Sequence, residues 1–139
     1  MLYMPLTVDV TNPAERPAAI PFLDAAPTRL GLYTNFASQT GIPDYDPEYE
    51  ETLSSTYGDE YKLPYGGELN RSRGCYTMDI TAYIQRMWGE YLKADGDLQK
   101  IQYRSIYVAP TVKELFTLGQ VALRGDEDLQ VVLTYTLMR

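Results

Sequence analysis

The chain has 139 residues, 45% of them hydrophobic, and carries 19 acidic against 12 basic side chains for a net charge of −7. That length suits one domain with a core that needs no disulfide staples, and the acidic balance argues against a nucleic-acid partner, which needs a basic stripe. Histidine is absent and Cys75 is the single cysteine, which removes the commonest general base, Ser–His and Cys–His pairs, an intrachain disulfide and a cysteine-built zinc site.

In chain order, residues 2–10 alternate weakly and are rich in β-formers, which predicts a first strand ended by Asn12-Pro13. Residues 14–27, punctuated by Pro17, Pro21 and Pro27, read as extended or loop-like, because proline removes a ladder donor. Residues 29–36, with Leu30, Leu32, Thr34 and Phe36 alternating, predict a strand. Residues 37–67 are acidic and broken by Gly41, Pro43, Pro47, Gly58, Pro64, Gly66 and Gly67, the pattern of a long loop. Its tyrosines, at 45, 49, 57, 61 and 65, make it too aromatic for a purely solvated linker.

Residues 74–80 predict a strand with Tyr76, Met78 and Ile80 on one face. Asp79 or Thr81 then caps an amphipathic helix whose apolar stripe is Ile80, Ile84, Met87, Trp88, Tyr91 and Leu92, ended by Ala94-Asp95-Gly96-Asp97. Residues 101–109 predict another strand, and Thr111-Val112-Lys113-Glu114 fits a capping box opening one helical turn through Phe116. Residues 119–124 and 129–138 predict two strands joined by Gly125-Asp126-Glu127-Asp128 as a β-hairpin. The expected fold is all-β: a jelly-roll-like β-sandwich with one amphipathic helix and a short helical turn, forming a single domain over residues 1–139.

The run Leu69-Asn70-Arg71-Ser72-Arg73-Gly74-Cys75-Tyr76-Thr77-Met78-Asp79-Ile80-Thr81-Ala82-Tyr83-Ile84-Gln85 resembles the strand-to-helix signature of a Bacteroidetes group of cell-surface lipoproteins of unknown function. Ile106-Tyr107-Val108-Ala109-Pro110, Phe116, Gln120-Val121-Ala122-Leu123-Arg124-Gly125 and Leu133-Thr134-Tyr135-Thr136 follow in the order that group shows. More distantly, Asp79-Ile80-Thr81, the helix bearing Trp88, the hairpin and the apolar last strand are similar to jelly-roll modules of the DNRLRE type, some of which bind polysaccharide. The resemblance covers the second half of the chain. It implies an extracytoplasmic place at the cell surface, structural rather than catalytic helix residues, and a C-terminal domain of a longer precursor, since the group's members are longer. No lipoprotein cysteine precedes the chain, residues 1–10 lack the marks of a signal peptide, and no apolar run reaches the ~20 residues of a membrane span.

Among candidate sites, Asp44, Asp46, Glu48, Glu50 and Glu51 alternate as calcium ligands would, but without the glycine and fixed spacing of a calcium loop they read as a solvated acidic stretch. The Gly66-Gly67 pair reads as a turn. Cys75 reads as a small buried thiol, Trp88 as a core residue, and Arg124-Gly125-Asp126 as turn chemistry. The remaining lead is Tyr57, Tyr61 and Tyr65 beside Asp59 and Glu60: aromatic faces stack on sugar C–H groups while acids take the hydroxyls. Packing of those rings onto the sheet is the bland alternative. The expected function is a non-catalytic surface module, free of cofactor and metal, that binds a glycan or a protein partner. A carboxylate-dependent glycan-active enzyme and a purely structural envelope domain are the alternatives.

Overall fold

A short strand at the start of the chain, β1 (Leu2–Pro5), organises the larger of two sheets in the computed structural model, which describes residues 1–35, 37–58, 61–101, 104–111, 114 and 119–135 (of Asp126 the backbone alone). Leu2 and Met4 alternate with Tyr3 and Pro5, so every second side chain enters the core. β1 lies between β5 (Cys75–Met78) and β7 (Gln130–Val131), and β4 (Gly66–Asn70) flanks β5, all antiparallel. In the second sheet β2 (Leu30–Asn35) sits between β3 (Thr40–Gly41) and β6 (Tyr107–Pro110). A bridge between Arg29 and Glu68, and a hydrogen bond from the Leu69 N–H to the Thr28 carbonyl at 2.9 Å, tie the two sheets together.

Among the described residues three α-helices accompany these sheets, so the expected all-β jelly-roll sandwich is corrected to a mixed α/β architecture with two open antiparallel sheets. Two of the helices lie in segments that read as loop. α1 (Arg16–Ala25) tolerates Pro17 because a first-turn N–H has no intrahelical partner, and proline's fixed φ suits that position. Ala19 and Leu23 face the core, and the Arg71 guanidinium closes the far end by donating to the Leu23 carbonyl at 3.2 Å and pairing with Asp24. α2 (Pro47–Tyr57) opens on Asp46, whose carboxylate accepts from the N–H of Glu48 at 3.0 Å and of Tyr49 at 3.4 Å, with Pro47 at the first position and Glu48 and Glu50 in the first turn.

The predicted amphipathic helix is present as α3 (Thr81–Lys93). Its N-terminus is capped twice. Asp79 accepts from the Thr81 N–H at 2.9 Å, and Asp44, 38 residues upstream, takes the N–H groups of Ala82 and Tyr83 at 2.8 Å each. The buried face differs from the predicted stripe. Tyr83 is buried with Ile80, and Ile84 and Met87 pack partly against the core. Centring the contact on Tyr83 turns Trp88, 57% exposed, and Leu92 towards solvent.

The predicted hairpin of residues 119–124 and 129–138 is also absent among the described residues. Both segments lie against the first strand instead: Leu123 bridges Leu6, the Arg124 N–H donates to the Pro5 carbonyl at 2.8 Å, and Val131 faces Leu2. Leu2 to Leu6 advances four positions while Leu123 to Val131 advances eight. The four extra residues are taken up around a 3₁₀ turn at Asp126–Asp128, an irregularity along the first strand rather than a hairpin loop. Gly66-Gly67 is a bulge in β4, at φ +91° and +88°, where a Cβ on Gly66 would stand 2.6 Å from the Thr77 carbonyl oxygen. Of the strand expected over residues 101–109, the described residues form β6, after a 3₁₀ turn at Leu98–Lys100; residues 102 and 103 lie outside the described residues. Phe36, Val112, Lys113, Phe116 and residues 136–138 lie outside the described residues.

Candidate functional site

Of the five predicted ligand-binding residues, Asp59 and Glu60 lie outside the described residues, and the three tyrosines part company. Tyr57, at the end of α2, is 63% exposed, whereas Tyr61 and Tyr65 are buried. Those two rings join Tyr33 and Tyr45 in a cluster the sequence does not announce, gathered around Glu50. That carboxylate is only 1% exposed. The Tyr45 hydroxyl donates to its Oε2 at 2.6 Å, and the Tyr61 hydroxyl donates to its Oε1. The hydroxyls of Tyr33 and Tyr45 are 3.4 Å apart, and Tyr33 also donates to the Pro110 carbonyl at 3.1 Å. Tyr65 donates to the Leu30 carbonyl at 2.6 Å.

The cluster follows from local sequence. Gly31, the second residue of β2, leaves the space the Tyr45 ring occupies: a Cβ there would sit 2.7 Å from Tyr45 Cε1. Tyr45 meets Tyr33 edge-on, with centroids 5.4 Å apart, and Tyr65 at a tilt, 5.1 Å away. The Arg29 guanidinium lies 4.1 Å from the centroid of the Tyr61 ring and donates to the Tyr61 carbonyl at 2.9 Å. Burial pushes the phenols of Tyr33, Tyr45, Tyr61 and Tyr65 above their ordinary range, with Glu50 adding to the effect. Such phenols stay protonated and act as donors.

The acidic stretch does not converge on a cation. Asp44 caps α3, Asp46 caps α2, Glu50 accepts from phenols, and Glu48 and Glu51 face solvent. Among the described residues no three acids, histidines or cysteines come together as a metal site. Burial raises the Cys75 thiol, outweighing the opposing pull of Arg73. Arg124 pairs with Asp128 at 3.6 Å across the 3₁₀ turn at Asp126–Asp128.

Exposed apolar side chains occur on α3 and at the end of the described chain, as well as on α1 (Ile20, Phe22) and β6 (Tyr107, Val108). On α3, Trp88 and Tyr91 stack with centroids 5.4 Å apart and planes 24° from parallel, and nothing lies within 4 Å of a Cβ added to Gly89 beside them. At the end of the described chain, Leu129, Val131, Val132, Leu133 and Tyr135 are 45–82% exposed in a stretch without a charged side chain. β7 is the edge of its sheet, held to β1 on one side, and the Val132 N–H donates to the Met1 carbonyl at 2.9 Å. Open grooves run along Glu68, Asn70, Arg71 and Thr77, and between Leu30, Val108, Pro110 and Val121; neither is lined by tyrosine. No described helix is long and apolar enough to cross a membrane. Compared with protein families, curated proteins and solved structures, the chain finds no match in any of the three.

Proposed function

We propose that the domain is a non-catalytic, extracytoplasmic binding module that docks a protein partner on its C-terminal edge strand. The observation that carries this reading is the uncharged run from Leu129 to Tyr135, where five large apolar side chains face solvent and Gln130–Val131 forms β7, the last strand in the order of the larger sheet. An open edge offers unpaired N–H and C=O groups to an incoming strand, and contiguous exposed apolar surface marks interaction sites on soluble folds. The cell-surface placement rests on the resemblance of residues 69–85 to the lipoprotein group. The non-catalytic reading rests on the absence of histidine and on Glu50 having both oxygens occupied by phenols. Turnover of a glycan by the purified domain would overthrow it.

The test places a photo-crosslinking amino acid at Leu133 and, as a control, at exposed Ser55 in cells that make the protein. A discrete protein adduct from Leu133 alone, lost in the Val131→Lys/Leu133→Lys variant while thermal unfolding is unchanged, is the expected result. Equal adducts from both positions would reject the edge as the docking site.

The Trp88–Tyr91 stack favours a second reading, a glycan platform, because a flat exposed aromatic pair suits the C–H face of a sugar ring. It transfers the glycan hypothesis from the buried tyrosines to α3. A glycan array probed with the domain and with Trp88→Ala separates the two readings: signal lost on substitution supports the platform, and a blank array leaves the edge strand as the binding surface.

A further inference from the structure

The two edges of the larger sheet are finished differently. β4, at one end of the strand order, is covered: the Leu69 N–H donates to the Thr28 carbonyl at 2.9 Å, and Glu68 bridges Arg29. β7, at the other end, has β1 on one side and no second neighbour among the described residues. Its hydrogen bonds fix which groups face outward. Val132 exchanges both bonds with Met1, donating its N–H to the Met1 carbonyl at 2.9 Å and accepting from the Met1 ammonium at 2.8 Å. Peptide groups alternate sides along an antiparallel strand, so the N–H and C=O of Val131 and Leu133 point away from β1. Sheets blunt such an edge with charge, proline or a covering segment, and residues 129–135 hold neither charge nor proline.

The run is complementary to itself. In an extended chain Leu129, Val131, Leu133 and Tyr135 share one face, and Gln130, Val132 and Thr134 the other. Laid antiparallel to a copy of itself about Val132, it sets Leu129 beside Tyr135, Val131 beside Leu133 and Gln130 beside Thr134. The outward peptide groups of Val131 then meet those of the copy's Leu133, as a hydrogen-bonded pair requires. Charge selects the same arrangement. Each run is preceded by the acidic turn Asp126–Asp128. Parallel pairing in register would place the two turns side by side. Antiparallel pairing sets Asp128 of one copy eight residues along the strand from Asp128 of the other, about 27 Å, well beyond the screening length of ~8–10 Å.

We propose that the partner docked on the C-terminal edge is a second copy of this chain, joined by two-fold antiparallel pairing of residues 129–135 centred on Val132. Two four-stranded sheets then become one of eight strands, and the symmetry closes the assembly by leaving neither β7 edge open. The pairing presupposes the edge-docking reading above and names its partner. Seven residues a side fall short of the ~20–30 of a standard interface, so the association is reversible and set by concentration.

Sedimentation velocity of the purified chain over a wide concentration range should show the mass rising towards twice that of one chain. Leu133→Lys, at an exposed position, should stay monomeric throughout with an unchanged unfolding temperature. Oxidation in a Cys75→Ser background tests the register. The two Val132 positions face each other as a non-hydrogen-bonded pair, at a Cα separation of ~4.5 Å that a disulfide spans. Val132→Cys should therefore be trapped as a covalent dimer, whereas Leu129→Cys, whose counterpart lies six residues along the strand, should not. A chain that is monomeric at every concentration, a dimer that survives Leu133→Lys, or equal trapping through Leu129→Cys would each overturn the self-pairing. If a monomeric chain still gives a crosslinked adduct with a different protein from Leu133 in cells, edge docking stands and the self-pairing alone fails; if Leu133 gives no adduct, both fail.

Discussion

Glu50 is the residue on which the centre of the molecule turns. Replacing it with alanine strands the hydroxyls of Tyr45 and Tyr61 in the interior, and each unsatisfied buried donor costs about 1–3 kcal/mol. Glu50→Ala is therefore expected to lose about 2–5 kcal/mol in chemical denaturation, more than Tyr61→Phe, which removes one donor and leaves the carboxylate its other. A loss below about 1 kcal/mol would mean that the phenols find other partners. Trp88 gives the opposite expectation. A core tryptophan would cost ~3–5 kcal/mol on truncation, but the exposed ring makes Trp88→Ala a surface change, expected within about 1 kcal/mol of the parent in the same assay. Neither result was legible in the sequence. An acidic residue in an acidic stretch reads as solvated, and the four phenols that enclose this one come from separate segments.

At the scale of elements, what the sequence specified locally was legible. β2, β5 and α3 carry their own periodicity and stand close to where it predicts them. α2 was missed although Asp46-Pro47-Glu48 is a capping signal, because its Ser, Thr and Tyr residues have weak helix propensity and one carboxylate anchors it. α1 is hidden by its prolines: Pro17 is compatible with a first turn, but Pro21 sits inside the helix, where proline ordinarily argues against one. The second cap of α3 was beyond reach, since Asp44 lies 38 residues from the N–H groups it serves. Removing that carboxylate frees two N–H groups and a charge complementary to the helix dipole, so Asp44→Ala is expected to destabilise by about 1–2 kcal/mol in urea unfolding. Gly89 offers the converse. It sits inside α3 with open space around it, so Gly89→Ala is expected to stabilise by about 0.5–1 kcal/mol. If the Trp88 face takes a ligand, the same substitution weakens binding; a variant both more stable and unimpaired would show that the flat surface beside Trp88 has no role.

For the whole molecule, the central claim is that three of the five tyrosines between residues 45 and 65, Tyr45, Tyr61 and Tyr65, belong to the interior. Burial raises the folded-state pKa of Tyr33, Tyr45, Tyr61, Tyr65, Tyr76 and Tyr83 above the ordinary value of about 10. For phenols raised in this way, the associated stability is fully present below pH ~10, where folded and unfolded forms are both protonated. It is lost as the pH climbs above ~10, because the unfolded chain then releases protons that the folded one retains. Spectrophotometric titration of tyrosinate, followed alongside circular dichroism, tests this directly. The structure predicts that these six tyrosines ionise only together with cooperative unfolding, above pH ~10. All 13 tyrosines titrating together near pH 10 in a still-folded protein would contradict it.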